Sequence, residues 1–340
     1  MKQQLTRIVE GDILTEEEAY AAMNQIMKGG VSTGQLMSML SVMRHRGEAV
    51  EEMTGFVRAM RANMTKLDLE QTDIVDTCGT GGDSSSTFNI STAVSIILAA
   101  LGVKVAKHGN RKVSSKSGSA DVLESLGIPI DTTPEQGAKA ISEKGMTFLF
   151  APNYHQAMKH AVPARQELGF RTVFNLLGPM ANPANAKRQL IGIYDTAYAE
   201  KMAETLNQLG SKHVLLATGR DGLDEITMTG VTDLVELKDG EIHRFTITPE
   251  ELGLTRGKLE DIQISNSQQS ADLIKQVIIG DAKESAMTIV TMNAAAGLYV
   301  AGKASDLTDG VKHVQDAIKS GSVQSYFASI QGEKENRQYA

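Results

Sequence analysis

Asp73-Ile74-Val75-Asp76-Thr77-Cys78-Gly79-Thr80-Gly81-Gly82-Asp83, followed by Asn89-Ile90-Ser91-Thr92, is the stretch that decides the fold of this chain. Asp73-Ile74-Val75 reads as the end of a short apolar strand, and the Ala/Ile/Leu-rich run from Ser91 to Leu101 reads as a buried helix. Between them stand three glycines. Glycines at a strand-to-helix junction let backbone approach a ligand closely, and the free N–H groups and dipole of the helix start suit a phosphate. Thr87, Ser91 and Thr92 add hydroxyl donors. A tight turn before a well-capped helix is the other reading of a lone Gly-Thr-Gly-Gly.

Working outward, strand and helix signals alternate. Val103 to Ala106, Met146 to Phe150, Leu190 to Tyr194 and Val214 to Ala217 read as short strands. Thr133-Pro134-Glu135-Gln136 opens a helix with proline at its first position. Leu234 to Thr246 reads as a hairpin about Asp239-Gly240, and Thr248-Pro249-Glu250-Glu251 as the cap of another helix. Ala271 to Ile279 and the small-apolar run Met287 to Val300 are helical, the second one buried. The pattern predicts an α/β fold with a mostly parallel sheet and an antiparallel extension at the hairpin.

Upstream, residues 1–65 read as helices alone. Thr15-x-x-Glu18 and Ser32-x-x-Gln35 are capping boxes, and Met53, Phe56, Val57 and Met60 mark the core face of a third helix. So short a bundle has little apolar area of its own, so it is expected to dock on another part of the chain or on a second copy. The predicted division is a small helical domain, 1–65, completed by helices within about 155–185, and a large α/β domain, 72–340.

The 340 residues carry 34 Lys and Arg against 41 Asp and Glu, a formal charge of −7, which argues against a general nucleic-acid or anionic-membrane surface. One cysteine excludes an internal disulfide framework and fits a reducing compartment. Neither a signal core at Met1 to Leu5 nor an apolar run long enough to span a bilayer is found, so a soluble intracellular protein is expected.

Lys107-His108-Gly109-Asn110-Arg111-Lys112-Val113-Ser114-Ser115-Lys116-Ser117-Gly118-Ser119-Ala120-Asp121 forms a second cluster, with four basic side chains, four serines and two glycines after a strand. Beside the glycine turn it would build a site for a polyanion, since ligands of open α/β sheets sit at the carboxyl ends of strands. A solvated basic loop is the alternative. His108 reads as a structural donor more readily than as a general base. Cys78 matches no thiol-enzyme pattern, although a helix start would lower its pKa.

Asp221-Gly222-Leu223-Asp224-Glu225 is a third cluster. Adjacent carboxylates at a strand end are uncomfortable unless a cation lies between them, and hard oxygen ligands with a phosphate substrate imply Mg2+; a solvated acidic turn is the alternative. A fourth cluster spans Ala151 to Lys159 and His160, then Arg165 and the segment from Arg171 to Pro179. From spacing alone, Arg165 reads as pairing with a surface Glu such as Glu167 more readily than as forking a substrate carboxylate. Neither a Walker A sequence nor Gly-x-Gly-x-x-Gly occurs at the glycine turn, since Ser84 stands where the latter needs its third glycine.

Together, in sequence order, these segments closely resemble the anthranilate phosphoribosyltransferase family. The resemblance rests on Gly79-Thr80-Gly81-Gly82-Asp83, Asn89-Ile90-Ser91-Thr92, Lys107-His108-Gly109-Asn110-Arg111 and Ser115-x-Ser117-Gly118-Ser119-Ala120-Asp121. It continues through Arg165-x-Glu167-Leu168-Gly169-x-Arg171-Thr172, Asn175-Leu176-Leu177-Gly178-Pro179 and Gly222-Leu223-Asp224-Glu225. Departures are small: Gln156 stands where the family commonly has proline, and Ala164 and Met180 replace other apolar residues.

The resemblance implies a nucleoside-phosphorylase-like fold and transfer of phosphoribosyl from 5-phosphoribosyl 1-diphosphate to the amine of anthranilate, in tryptophan biosynthesis. It also implies a homodimer joined through the helical domain, with Mg2+ as cofactor; the single cysteine already points to the cytoplasm. By the same resemblance the donor is held by Gly79, Gly82, Asp83, Thr87, Asn89, Ile90, Ser91, Thr92, Lys107, His108, Gly109, Asn110, Arg111, Lys112, Val113, Ser114, Ser115 and Ser119. Gly79, Asn110 and Arg165 would face anthranilate, with Arg165 taking its carboxylate in place of the surface pair. Ser91, Asp224 and Glu225 would hold Mg2+. No side chain is assigned as a certain catalytic residue, and His108 takes a secondary part. A pyrimidine-nucleoside phosphorylase of the same fold is the enzymatic alternative, without need of the metal pair. A non-catalytic, nucleic-acid-binding member of the fold is the other.

Overall fold

The structure, a computed structural model, describes residues 1–69, 73–81, 85–111 and 117–332. Four helices come first: α1 (Lys2–Val9), α2 (Glu16–Met27), α3 (Thr33–Arg46) and α4 (Val50–Ala62). Both capping boxes form, Thr15 accepting from the Glu18 N–H and Ser32 from the Gln35 N–H. Met53, Phe56 and Val57 are fully buried, as the spacing predicts. One carboxylate joins them: Glu52 accepts from the Leu14 N–H at 3.0 Å and from Arg46 Nη2 at 2.7 and 2.6 Å.

The α/β portion follows. It begins with β1 (Ile74–Gly79), α5 (Ile90–Ala100), β2 (Lys104–Gly109), α6 (Ser119–Ser125), α7 (Pro134–Lys144) and β3 (Met146–Phe150). A helical insertion, α8 (Ala151–Tyr154), α9 (Val162–Leu168) and α10 (Val173–Met180), leads to β4 (Arg188–Gly192), α11 (Ala199–Gln208) and β5 (His213–Gly219). The hairpin is β6 (Thr232–Lys238) and β7 (Glu241–Ile247), and α12 (Ser267–Ile279), α13 (Glu284–Ala301), α14 (Leu307–Lys319) and α15 (Ser322–Ile330) complete the chain. Strand order is β3-β2-β1-β4-β5-β6-β7, parallel from β3 through β5 and antiparallel at β6 and β7. Asp239 and Gly240, with φ of 52° and 89°, make the tight turn that their sequence predicts.

Alternation along the strands splits the core into layers. Val75, Val105 and Phe148 face α5, α12 and α13, whereas Ile74, Ala106 and Leu149 face the cluster around Ile141 and Tyr154. Ile191, Val214 and Leu216 share a core with α1–α4 and with Ala164, Phe174, Leu177 and Met202 of α9, α10 and α11. The bundle therefore docks on the insertion and the sheet of its own chain.

The expected helix at Thr248 is a single 3-10 turn, Glu250–Leu252. Its cap is made, with the Thr248 N–H on Glu251 Oε2 at 2.7 Å, but Gly253 at φ 70° ends the turn at once. Cys78 lies within β1 rather than at a helix start.

Candidate active site

Strand order reverses between β2-β1 and β4-β5, so the crevice opens at the carboxyl ends of β1 and β4. Those two strands end in register at Gly79 and Gly192. Their lack of side chains makes room for the loop after β5. A Cβ on Gly79 would lie 2.8 Å from Asp224 Oδ2, and one on Gly192 would lie 1.6 Å from the Asp224 carbonyl oxygen. With that space open, the Gly81 N–H donates to Asp224 Oδ2 at 2.8 Å. The first and third sequence clusters thus meet across the switch point.

Asn89 caps α5, its Oδ1 accepting from the Thr92 N–H at 3.1 Å. Its own N–H is held by Ser270 Oγ at 2.9 Å and its Nδ2 lies 3.4 Å from Ser119 Oγ, which ties in the second cluster. Thr87 bridges to Gln263, and Ile90 is buried in the core beneath the turn.

Lys107 is fully buried in β2, with Nζ donating to the Thr77 carbonyl at 2.7 Å and to Ser91 Oγ at 3.0 Å. Burial lowers its pKa, and the negative charges of Asp76 and Glu225 oppose that shift. Asp76 accepts from the His108 N–H at 3.0 Å, and burial raises its pKa. The Cys78 thiol is pushed up, by burial first and then by Asp76, so it is not an activated nucleophile.

His108 and His155 stand with ring centroids 5.0 Å apart. Burial lowers His108 to about 3 and His155 to about 4, so both rings are neutral near pH 7. The imidazoles bond to the backbone of Gly178 and Ala181 respectively, and each has a buried Nε2 with no hydrogen-bond partner among the described residues. His155, which sequence reasoning left unassigned, thus packs beside the candidate site residue His108. Its signal was present only as a histidine in the loop after β3, and the pairing with His108 needs the fold.

Arg165 lies on α9 with its guanidinium 5.4 Å from the Phe174 ring centroid, and burial lowers its pKa. It makes no ion pair with a carboxylate among the described residues, Glu167 included. Arg111 instead spends its guanidinium on α6, bonding Glu124 at 2.7 Å and Asp121 at 3.1 Å. Gly109 ends β2, and the Asn110 carbonyl accepts from the Ala120 N–H at 3.2 Å. Gly82, Asp83, Lys112, Val113, Ser114 and Ser115 lie outside the described residues.

Residues 2–64 match the model of the glycosyl transferase family, helical bundle domain, and residues 71–324 match its a/b domain. A curated relative from Geobacillus sp. (strain WCH70), an anthranilate phosphoribosyltransferase, is 58% identical over 100% of this chain and 99% of its own. The chain belongs to the anthranilate phosphoribosyltransferase family. The family member of Halalkalibacterium halodurans is 52% identical over 100% of this chain and 99% of its own. The crystal structure of the Thermus thermophilus family member superposes with a TM-score of 0.89 at 38% identity, over 96% of this chain and 99% of that one. That of Saccharomyces cerevisiae, in complex with PRPP and Mg, shares the fold at 24% identity and a TM-score of 0.87, over 96% and 95% of the two chains. The small-plus-large α/β architecture expected from the sequence is thereby established.

Proposed function

We infer that this chain transfers the phosphoribosyl group of 5-phosphoribosyl 1-diphosphate to the amine of anthranilate, giving N-(5-phosphoribosyl)anthranilate and pyrophosphate in tryptophan biosynthesis. The observation that carries the reading is the bond from the Gly81 N–H to Asp224 Oδ2, which joins a phosphate-type turn to an acidic pair at a switch point. Full-length relatedness to curated enzymes of that activity supports it.

The donor set fits Mg2+. Two adjacent carboxylates and a hydroxyl, Asp224, Glu225 and Ser91, are hard oxygen ligands, too few alone and suited to an ion completed by diphosphate oxygens. When bound, the ion supplies positive charge to the departing pyrophosphate. Residues of the chain do the rest. The α5 N-terminus receives phosphate oxygens, and the Thr87, Ser91, Thr92 and Ser119 hydroxyls add donors. Lys107, held between Thr77 and Ser91, fixes a cation beneath the same place.

Arg165, without a carboxylate partner of its own among the described residues, takes the anthranilate carboxylate through its planar fork. Asn110 and the Gly79 backbone border the ring. The buried, unprotonated Nε2 atoms of His108 and His155 are acceptors suited to the N–H bonds of the incoming amine. Anthranilate is a neutral amine near pH 7, so the site needs to place it rather than deprotonate it. The anilinium proton left once the C–N bond forms is acidic and passes to the departing pyrophosphate or to water, so no strong side-chain base is needed.

The domains would divide at 1–65 with 155–185 against 72–340, and the chain would pair as a homodimer through the helical part. Exposed apolar residues there, Val9, Ile13, Val162 and Phe170, support that pairing. A cytoplasmic location suits the single cysteine. Anthranilate loss and pyrophosphate release should be equal in one reaction mixture. Consumption of a pyrimidine nucleoside with phosphate, in place of that reaction, would turn the assignment to the phosphorylase. Retention on heparin at low salt without turnover would turn it to nucleic-acid binding.

A further inference from the structure

The acidic pair sits on a loop, and a loop of this length holds carboxylates only as firmly as its own backbone is held. Downstream of Glu225, the Ile226 N–H donates to Asn293 Oδ1 at 3.0 Å, and Asn293 Nδ2 donates back to the Ile226 carbonyl at 2.8 Å. The second hydrogen of that amide goes to the Ile289 carbonyl, also at 2.8 Å, one turn earlier on α13. Asn293 is completely buried in the middle of the 18-residue α13, with Ile226 also buried. One side-chain amide therefore grips both polar groups of the residue that follows the acidic pair.

On the far side of Ile226, Thr227 is fixed independently. Its N–H donates to Thr232 Oγ1 at 2.9 Å, and its hydroxyl and that of Thr229 reach Asp221 Oδ2 at 2.5 and 2.6 Å. The Asp224 carboxylate is met from the front by Gly81. Of these anchors, Asn293 is the one carried by a long helix of the core.

We propose that Asn293 is a positioning residue, a clamp that sets the height of Asp224 and Glu225 above the sheet for metal and diphosphate. The proposal rests on the reading given under Proposed function. An apolar residue in place of Asn293 leaves the Ile226 N–H and C=O buried without partners, so the backbone must shift toward water to recover them. The carboxylates shift with it. Asn293 touches no substrate, and its effect passes wholly through the loop.

The test compares wild type, Asn293→Leu, Asn293→Asp and Leu298→Ala as full chains. Leu298 is buried on the same helix in a different apolar cluster from Ile226, and its truncation should destabilise the fold while leaving the Asn293–Ile226 bonds in place. Readouts are Mn2+ binding by electron paramagnetic resonance with 5-phosphoribosyl 1-diphosphate present, amide exchange across 220–228, and thermal unfolding. Asn293→Leu should weaken Mn2+ about tenfold or more and speed exchange at Ile226 about tenfold, consistent with one lost pair of buried hydrogen bonds. Asn293→Asp, which keeps the acceptor, should fall between. Leu298→Ala should lower the unfolding temperature with Mn2+ binding unchanged. Equal Mn2+ affinity in Asn293→Leu and wild type, or an equal loss in Leu298→Ala, would overturn the clamp. Wild type that binds no Mn2+ with the diphosphate would instead remove the metal reading beneath it.

Discussion

The Gly81 backbone N–H and Asp224 Oδ2 stand 2.8 Å apart although 143 residues separate them in the chain. This contact is possible because Gly79 and Gly192, in register at the ends of adjacent strands, leave their Cβ positions to the acidic loop. Gly192→Ala would drive a methyl into backbone at 1.6 Å, whereas Gly79→Ala meets one side-chain oxygen at 2.8 Å. Overpacking of that kind costs about 1–3 kcal/mol. Gly192→Ala is expected to lose more activity than Gly79→Ala at matched folded fraction. Paired kcat/KM and unfolding curves would measure it, and the reverse order would contradict the seating.

Arg165 has a planar fork, a position beside Phe174 and no carboxylate of its own among the described residues. Hydrogen bonds to charged groups contribute about 1.5–3 kcal/mol, so Arg165→Ala should raise the KM for anthranilate about 10- to 100-fold. The KM for 5-phosphoribosyl 1-diphosphate should stay near its original value. Arg165→Lys should recover only part of the loss, because a point charge cannot reproduce the fork. Initial rates with each substrate varied in turn would check this.

The two histidines set a pH dependence whose sign follows from their burial. Their folded pKa values, about 3 and about 4, lie below the ordinary 6.5. Below pH 6.5 the unfolded chain takes up protons that the folded chain refuses, so stability falls as pH drops from 6.5 toward 4 and 3. Denaturant unfolding at pH 7, 6 and 5 should show a shallower decline in His108→Asn than in wild type. Turnover of His108→Ala should fall by fewer orders of magnitude than that of the acidic-pair variants. A neutral ring of depressed pKa is a weak base, and a loss as large would reassign proton transfer to it.

Glu52 tests the helical part separately. Its fully buried carboxylate is held by Arg46, the Leu14 N–H and the Ala49 N–H, the last at 3.1 Å. Glu52→Ala leaves those donors unpaired, and removing one partner of such a pair costs about 3–5 kcal/mol. Chemical denaturation should show a loss in that range, with a value under about 1 kcal/mol counting against a structural role for the pair.

Much of this was legible in local chemistry. Thr15, Ser32 and Asn89 carry capping side chains whose geometry is set within three residues, and Asp239-Gly240 can turn only one way at low cost. Gly79 announced close backbone approach, but what approaches it is a carboxylate loop supplied by strand order. The His108–His155 pair and the Asn293 clamp join distant segments, and nothing in a window of neighbouring residues encodes them. Thr248 shows the opposite failure. A sound cap was followed by Gly253, whose left-handed backbone ended the helix after one turn.

The most direct measurement is the loss of anthranilate fluorescence on mixing the protein with 5-phosphoribosyl 1-diphosphate and Mg2+. It is repeated with EDTA and with the double variant Asp224→Asn/Glu225→Gln. The expected result is turnover in the complete mixture and a drop of about 100-fold or more in both controls, the scale on which transition-state charge stabilisation is lost. Folded wild-type protein that leaves the fluorescence unchanged, or a double variant that turns over as fast as wild type, would contradict the account.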